Sequence, residues 1–204
     1  MLPVLKHFSF KGVGEYLDDL VAHIDAPRLI KLYITLLDKI EFNTPQFIRF
    51  ISHTPTLKPL KEACVIFRNG YAGVRLSSPF QELYVSIPCR GLDWQVSSLE
   101  QVCTSCLPPF PALEELYIYG DSLWERNRQD HIENWQWLEL LRPFTTVKNL
   151  YLSEEFAPHI VPALQVLVEI GTPEVLPALQ NIFREGLKAS GPVHEGIWQF
   201  VAPR

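Results

Sequence analysis

The sequence predicts an α/β chain built from repeated strand–helix units, and three observations carry that expectation. A short template recurs along the chain, the segments between its copies have helical periodicity, and prolines stand at matching places in the copies. Residues 3–10 read PVLKHFSF, 27–34 PRLIKLYI, 111–118 PALEELYI and 177–184 PALQNIFR. Residues 78–85, SPFQELYV, and 145–152, TTVKNLYL, fit without the leading proline, and 58–65, KPLKEACV, are a weaker copy. The shared form is P-x-L-x-x-L-x-I. Its first apolar anchor falls at Leu5, Leu29, Leu60, Phe80, Leu113, Val147 and Leu179, spaced by 24, 31, 20, 33, 34 and 32 residues. Self-similarity on a period of about 20–50 residues marks a solenoid or array. The last template positions alternate apolar with polar or aromatic residues, as a strand with one buried face does. The 17 prolines against 10 glycines therefore read as punctuation of a repeat.

Helical signals fill the intervals. Val13, Tyr16, Leu17, Leu20, Val21 and Ile24 follow the i, i+3, i+4, i+7 pattern of one buried helix face. Thr44 before Pro45 reads as an N-cap and first-turn proline, opening a helix through Phe47, Ile48 and Ile51. Asp93 is the expected cap of a third helix with Val96, Leu99, Cys103 and Cys106 on one stripe, and Asn134 of a fourth with Trp137, Leu138 and Leu141. Pro162 is expected to open the main part of a fifth, carrying Ala163, Leu164, Leu167 and Val168, and Pro192 a last one through Val193, Ile197 and Val201. Only residues 67–79, holding Asn69-Gly70 and Gly73, lack a helical pattern and read as a hairpin or irregular excursion. Strand–helix alternation implies parallel strands joined by crossovers. Each strand keeps a polar or aromatic residue between its apolar anchors, so one sheet face stays open, unlike a doubly wound sheet. The expectation is one domain over residues 1–204: a leucine-rich-repeat-like solenoid, a horseshoe segment of about seven irregular repeats. Its parallel strands would lie on the concave side and its helices outside.

Composition narrows the function classes. With 204 residues, 47% hydrophobic and 12% aromatic, the chain is no disordered tail. A net charge of -5 and a pI near 5.7 argue against a nucleic-acid partner. No apolar run approaches the ~20 residues of a membrane helix, which argues against a membrane partner. The first ten residues lack the pattern of a signal peptide. Four scattered cysteines make no disulfide framework, so the expected compartment is reducing: cytoplasm or nucleus.

Several stretches resemble the leucine-rich-repeat region of F-box-like proteins from mushroom-forming fungi. They are YLDDLVAHIDAP (16–27), TPQFIRFISHT (44–54), LDWQVSSLEQVCTSCLPP (92–109), NWQWLELLRPFTTVKNLYLSEEFAP (134–158), 174–186 and GPVHEGIWQFV (191–201). The resemblance implies that the repeats recognise a substrate or partner. It also implies that an F-box, where present, precedes the repeats and docks the adaptor of a ubiquitin ligase. The chain begins directly in a repeat strand, so the expectation is a recognition module without the F-box. It would stand alone or form a structural piece of a larger ubiquitin-ligase receptor. Arg184 departs from the template, where an apolar residue is expected.

On the open face, the column between the final anchors reads Ser9, Tyr33, Cys64, Tyr84, Tyr117, Tyr151 and Phe183. With strands about 4.8 Å apart, Tyr84, Tyr117, Tyr151 and Phe183 are expected to form one contiguous ladder, with Tyr119 beside it. Such a ladder serves an interface or stabilises the sheet, and the two roles are compatible. Two residues earlier the column reads His7, Lys31, Glu62, Glu82, Glu115, Asn149 and Asn181. Three neighbouring glutamates repel one another, which suits the face to a basic or amide-rich peptide and equally describes a solvated edge. Residues 119–134 form the longest polar insertion; Trp124, Arg126 and Arg128 there read as a contact site or as a solvated loop. Unpaired end strands would also permit end-to-end self-association.

Other chemistry is expected to be missing. Cys103 and Cys106 have C-x-x-C spacing, but no second pair follows and both continue an apolar stripe, so they read as core. Gly12-Val-Gly14 lacks the third glycine of a dinucleotide fingerprint, with Leu17 in its place. No phosphate-loop, zinc-protease or nucleophile-elbow string occurs. The expectation is a non-enzymatic module with no catalytic residue, metal or cofactor, binding a protein or peptide through its sheet face.

Overall fold

The computed structural model describes residues 2, 4–37, 44–120, 132–170 and 174–185. In chain order these form β1 (His7–Gly12), α1 (Gly14–Ala22), β2 (Lys31–Leu36), α2 (Pro45–His53), β3 (Glu62–Arg68), β4 (Tyr71–Ser77) and β5 (Glu82–Ile87). Then come α3 (Leu92–Ser105), β6 (Glu115–Gly120), α4 (Asn134–Leu141), β7 (Asn149–Ser153), α5 (Ala157–Ile170) and β8 (Asn181–Glu185). The helix expected after Pro192 lies outside the described residues.

Every template copy becomes a strand that starts two residues after its anchor. The prolines open the turn before the strand: the Leu29, Leu113 and Leu179 amides donate to Ala26, Phe110 and Leu176 carbonyls at 3.1, 3.2 and 2.9 Å. Pro27, Pro111 and Pro177 thus occupy the second turn position, where a fixed φ near -65° is already correct. The residue after the anchor accepts the first bond of the next strand along, as at Lys31 N to Lys6 O (3.0 Å), Asn149 N to Glu114 O (3.1 Å) and Asn181 N to Lys148 O (3.0 Å). Phe80 breaks the pattern. It is 79% exposed where Leu29 and Leu60 are fully buried, because its copy sits on the tight turn into β5 and no helix precedes it.

The sheet has eight strands in the order β1-β2-β5-β4-β3-β6-β7-β8. All neighbours are parallel except β4, which runs against both β3 and β5. A stack in chain order was the expectation; instead the chain passes from β2 to the far side of a gap, then fills it backwards. Asn69 and Gly70 make the reversal as a two-residue turn between the paired Arg68 and Tyr71, with Gly70 at φ 93°. The excursion is therefore the hairpin alternative.

Alternate residues of all strands face the helices. Leu32, Val85, Val74, Val65, Leu116 and Leu150 share one buried cluster with Leu17, Phe47, Val96, Leu140 and Ile160 from the five helices. At its centre Phe67 stacks on Phe156 (4.8 Å), and Trp137 meets both edge-on at 6.0 and 5.8 Å. Offset and T-shaped pairs of this kind add about 0.5–1.5 kcal/mol each beyond area burial.

Helix boundaries depart from expectation where tertiary partners replace local ones. Tyr16 and Leu20 are 67% and 42% exposed, so α1 buries only Gly14, Leu17 and Val21. Thr44 precedes α2 but makes no side-chain cap; Asp18 of α1 accepts from the Phe47 amide at 2.9 Å instead. Gly91, at φ 83°, rather than Asp93, precedes α3, and Glu133 rather than Asn134 caps α4 in a reciprocal box with Gln136. Pro162 lies inside α5, which begins at Ala157. Its missing N–H forfeits the bond it would otherwise donate to the Pro158 carbonyl, one bond near the helix start.

Gln95, 3% exposed, fastens the hairpin to α3: its amide nitrogen donates to Arg68 O (2.8 Å), Cys89 O (3.2 Å) and Tyr71 O (3.4 Å). Replacing it by leucine strands these carbonyls, and Gln95→Leu should lower unfolding free energy by about 2–3 kcal/mol in urea titration. An unchanged midpoint would show that water satisfies the turn.

Candidate functional site

The face away from the helices carries no covering element among the described residues. Register fixes which side chains share it. The central row reads, across the sheet, Ser9, Tyr33, Tyr84, Arg75, Cys64, Tyr117, Tyr151 and Phe183. The row before it reads His7, Lys31, Glu82, Ser77, Glu62, Glu115, Asn149 and Asn181. Tyr119 stands in the third row, paired with Ile66. All ten expected strand contacts, Tyr33, Glu62, Glu82, Tyr84, Glu115, Tyr117, Tyr119, Asn149, Tyr151 and Phe183, thus lie on one face.

The ladder is split, however. Tyr84 is separated from Tyr117 by two strands, because β4 and β3 insert Arg75 and Cys64 between them. On the far side Tyr117 stacks on Tyr151 at 4.3 Å and 8°, and Tyr151 on Phe183 at 4.7 Å and 16°. Tyr84 instead lies over Gly73, where an added Cβ would meet its Oη at 2.8 Å. Only glycine leaves room for that ring. The glutamates are split in the same way: Glu62 faces Glu115 directly, while Ser77 separates Glu62 from Glu82. Arg75 was not anticipated. The reading of residues 67–79 as a hairpin or irregular excursion assigns no face to Arg75, although Asn69-Gly70 followed by alternating Ala72, Val74 and Leu76 is the signal that would.

Two carboxylates are tied to tyrosines. Tyr33 Oη donates to Glu82 at 2.7 Å and Tyr117 Oη to Glu115 at 2.9 Å. The Tyr33 hydroxyl is held above its ordinary pKa chiefly by the bond to Glu82, and that of Tyr117 is raised by burial and then by Glu115. Burial, followed by its contact with Cys64, pushes Tyr119 up to about 12. Asn181 donates to Asn149 at 2.8 Å, continuing the row as an amide pair.

Trp124, Arg126 and Arg128 lie outside the described residues. Cys103 and Cys106 are buried, and the Cys103 thiol is raised by burial and by the Cys106 and Glu100 beside it. No cluster of three or more His, Cys, Asp or Glu side chains suited to a metal occurs among the described residues. No helix among them is long and apolar enough to cross a membrane. Comparison with family models, curated proteins and solved structures finds no match to this chain.

The raised tyrosines bind protons more tightly folded than unfolded, where their pKa is about 10. Their contribution is complete below pH ~10 and disappears as pH rises through the folded values, near 12 for Tyr119. Urea stability should therefore fall as pH rises from about 10 to about 12, and Tyr119→Phe should flatten the fall. An equal slope in the variant would assign the loss to other groups.

Proposed function

We propose that this chain is a protein-interaction module whose open sheet face binds an extended, basic segment of a partner protein. Under this reading the strand–helix units act as a leucine-rich-repeat-like solenoid segment, strands on the concave side, serving as the recognition part of an F-box-like protein. The observation that carries the proposal is the half-buried stack of Tyr117, Tyr151 and Phe183 on an uncovered face, beside the facing carboxylates Glu62 and Glu115. Tyrosine offers a large rigid contact area with a polar tip, and is enriched where partners dock. Paired carboxylates on adjacent strands repel each other, and a cation laid between them relieves that repulsion.

The test uses a labelled (Gly-Lys)4 peptide blocked at both ends, with (Gly-Glu)4 as its counterpart. The lysine peptide should bind at low salt and the glutamate peptide at least tenfold more weakly. Glu62→Gln with Glu115→Gln should remove the preference, and Tyr151→Ser should weaken binding with an unchanged circular dichroism spectrum. Equal binding of both peptides would sink the proposal.

A further inference from the structure

The turn joining β4 to β5 shapes an open recess of about 280 Å³ on the same face, lined by Lys31, Arg75, Ser77, Ser78, Gln81 and Phe80. Glu82 also borders it, but Lys31 faces Glu82 in register and the Tyr33 hydroxyl donates to that carboxylate at 2.7 Å. Two cations against one carboxylate leave the lining positive, whereas the neighbouring Glu62–Glu115 pair is negative. The Arg75 Nε is shielded from water with no hydrogen-bond partner. Glu82 and Cys64 lie close enough to favour the charged guanidinium, but its Nε–H has no acceptor, and a carboxylate brought to the recess adds a charge-assisted partner.

Beside the cations stands Phe80, 79% exposed. A cationic floor and an apolar wall within one small recess match a residue that carries a carboxylate and an apolar side chain together. In a polypeptide only the C-terminal residue does so. We propose that the recess receives the C-terminal carboxylate of the partner segment, with Arg75 and Lys31 as counter-ions and Phe80 against the terminal side chain. This rests on the open face being the binding face. Strands β4 and β6 are two steps apart, about 10 Å, which an extended segment spans in about three residues. The occupant is thus a chain end with an apolar last residue and a lysine or arginine three residues before it, the base lying over Glu62 and Glu115.

Fluorescence anisotropy with the labelled peptide Gly-Gly-Gly-Lys-Ala-Ala-Phe tests this. Its free acid should bind more than tenfold tighter than its C-terminal amide. Arg75→Gln should erase that ratio, and Lys31→Gln, a milder surface change, should at least halve it. Equal binding of acid and amide, or no binding of either, overturns the carboxylate site. An amidated peptide with an internal aspartate that binds as tightly as the free acid overturns the assignment to a chain end. The blocked (Gly-Lys)4 peptide never presents a carboxylate. Its binding alongside equal acid and amide affinities rejects the recess only, and its failure rejects the basic-segment reading itself.

Discussion

The turn at Asn69 and Gly70, with Gly70 at φ 93°, sends the chain back along β3 instead of over a helix, and the order of the later strands follows from it. A parallel neighbour needs a crossover of a dozen or more residues, while an antiparallel one needs two. With only Asn69 and Gly70 available, β4 must return beside β3, and β5 must then close against β2. The next crossover, α3, has to pass over β4 to reach the free edge of β3, where β6 adds in parallel. Gln95 sits where α3 crosses and satisfies the carbonyls that the reversal leaves inside. One short turn thus decides that Arg75, and not a further tyrosine, occupies the middle of the central row.

The remaining strands obey one local rule, which explains why their spacing can vary from 20 to 34 residues without disturbing the sheet. Phe80 before β5 apart, an anchor such as Leu29, Leu113 or Val147 closes a turn, buries its side chain, and leaves the next carbonyl aimed at the neighbouring strand. Register is set at the strand start, so the intervening helix can be long or short. The alternation that follows places apolar side chains on the helices and polar or aromatic ones on the other side. A slip of one residue would exchange the faces, and burying Glu115 and Tyr117 in place of Leu116 and Ile118 would be strongly unfavourable.

This local coding is why strands and the shared face were legible in the sequence, while neighbours and helix ends were not. Anchors such as Leu29 and Leu113 mark a strand by residues within eight positions of each other. Which strand lies beside which depends on the β3–β4 reversal, and no periodicity in Tyr84 or Tyr117 reports it. The caps show the same limit: Thr44 looks like an N-cap, yet the acceptor for the Phe47 amide comes from Asp18, on another helix. Pro162 looks like a helix start because proline is favoured there, but Phe156, stacked on Phe67, draws the preceding turn into the core. Tyr16 and Leu20 fit a helical stripe whose outer edge finds no partner among the described residues.

The geometry of the stack also limits what the open face can recognise. Planes within 8° and 16° at 4.3 and 4.7 Å, close to the strand spacing, turn the ring faces toward one another. Ring edges and hydroxyls are what remain for a partner above Tyr151, so attraction of a cation by an open ring face is not the main source of contact there. Charge must instead come from the carboxylates, and Tyr117 holds Glu115 in place through its hydroxyl. The aromatic row therefore supplies rigid area, and the row beside it supplies sign: positive at Lys31, negative at Glu62 and Glu115, neutral amides at Asn149 and Asn181. Under the proposed reading, a partner laid across the strands would meet these in a fixed order, so the face would distinguish the direction of a segment as well as its charge.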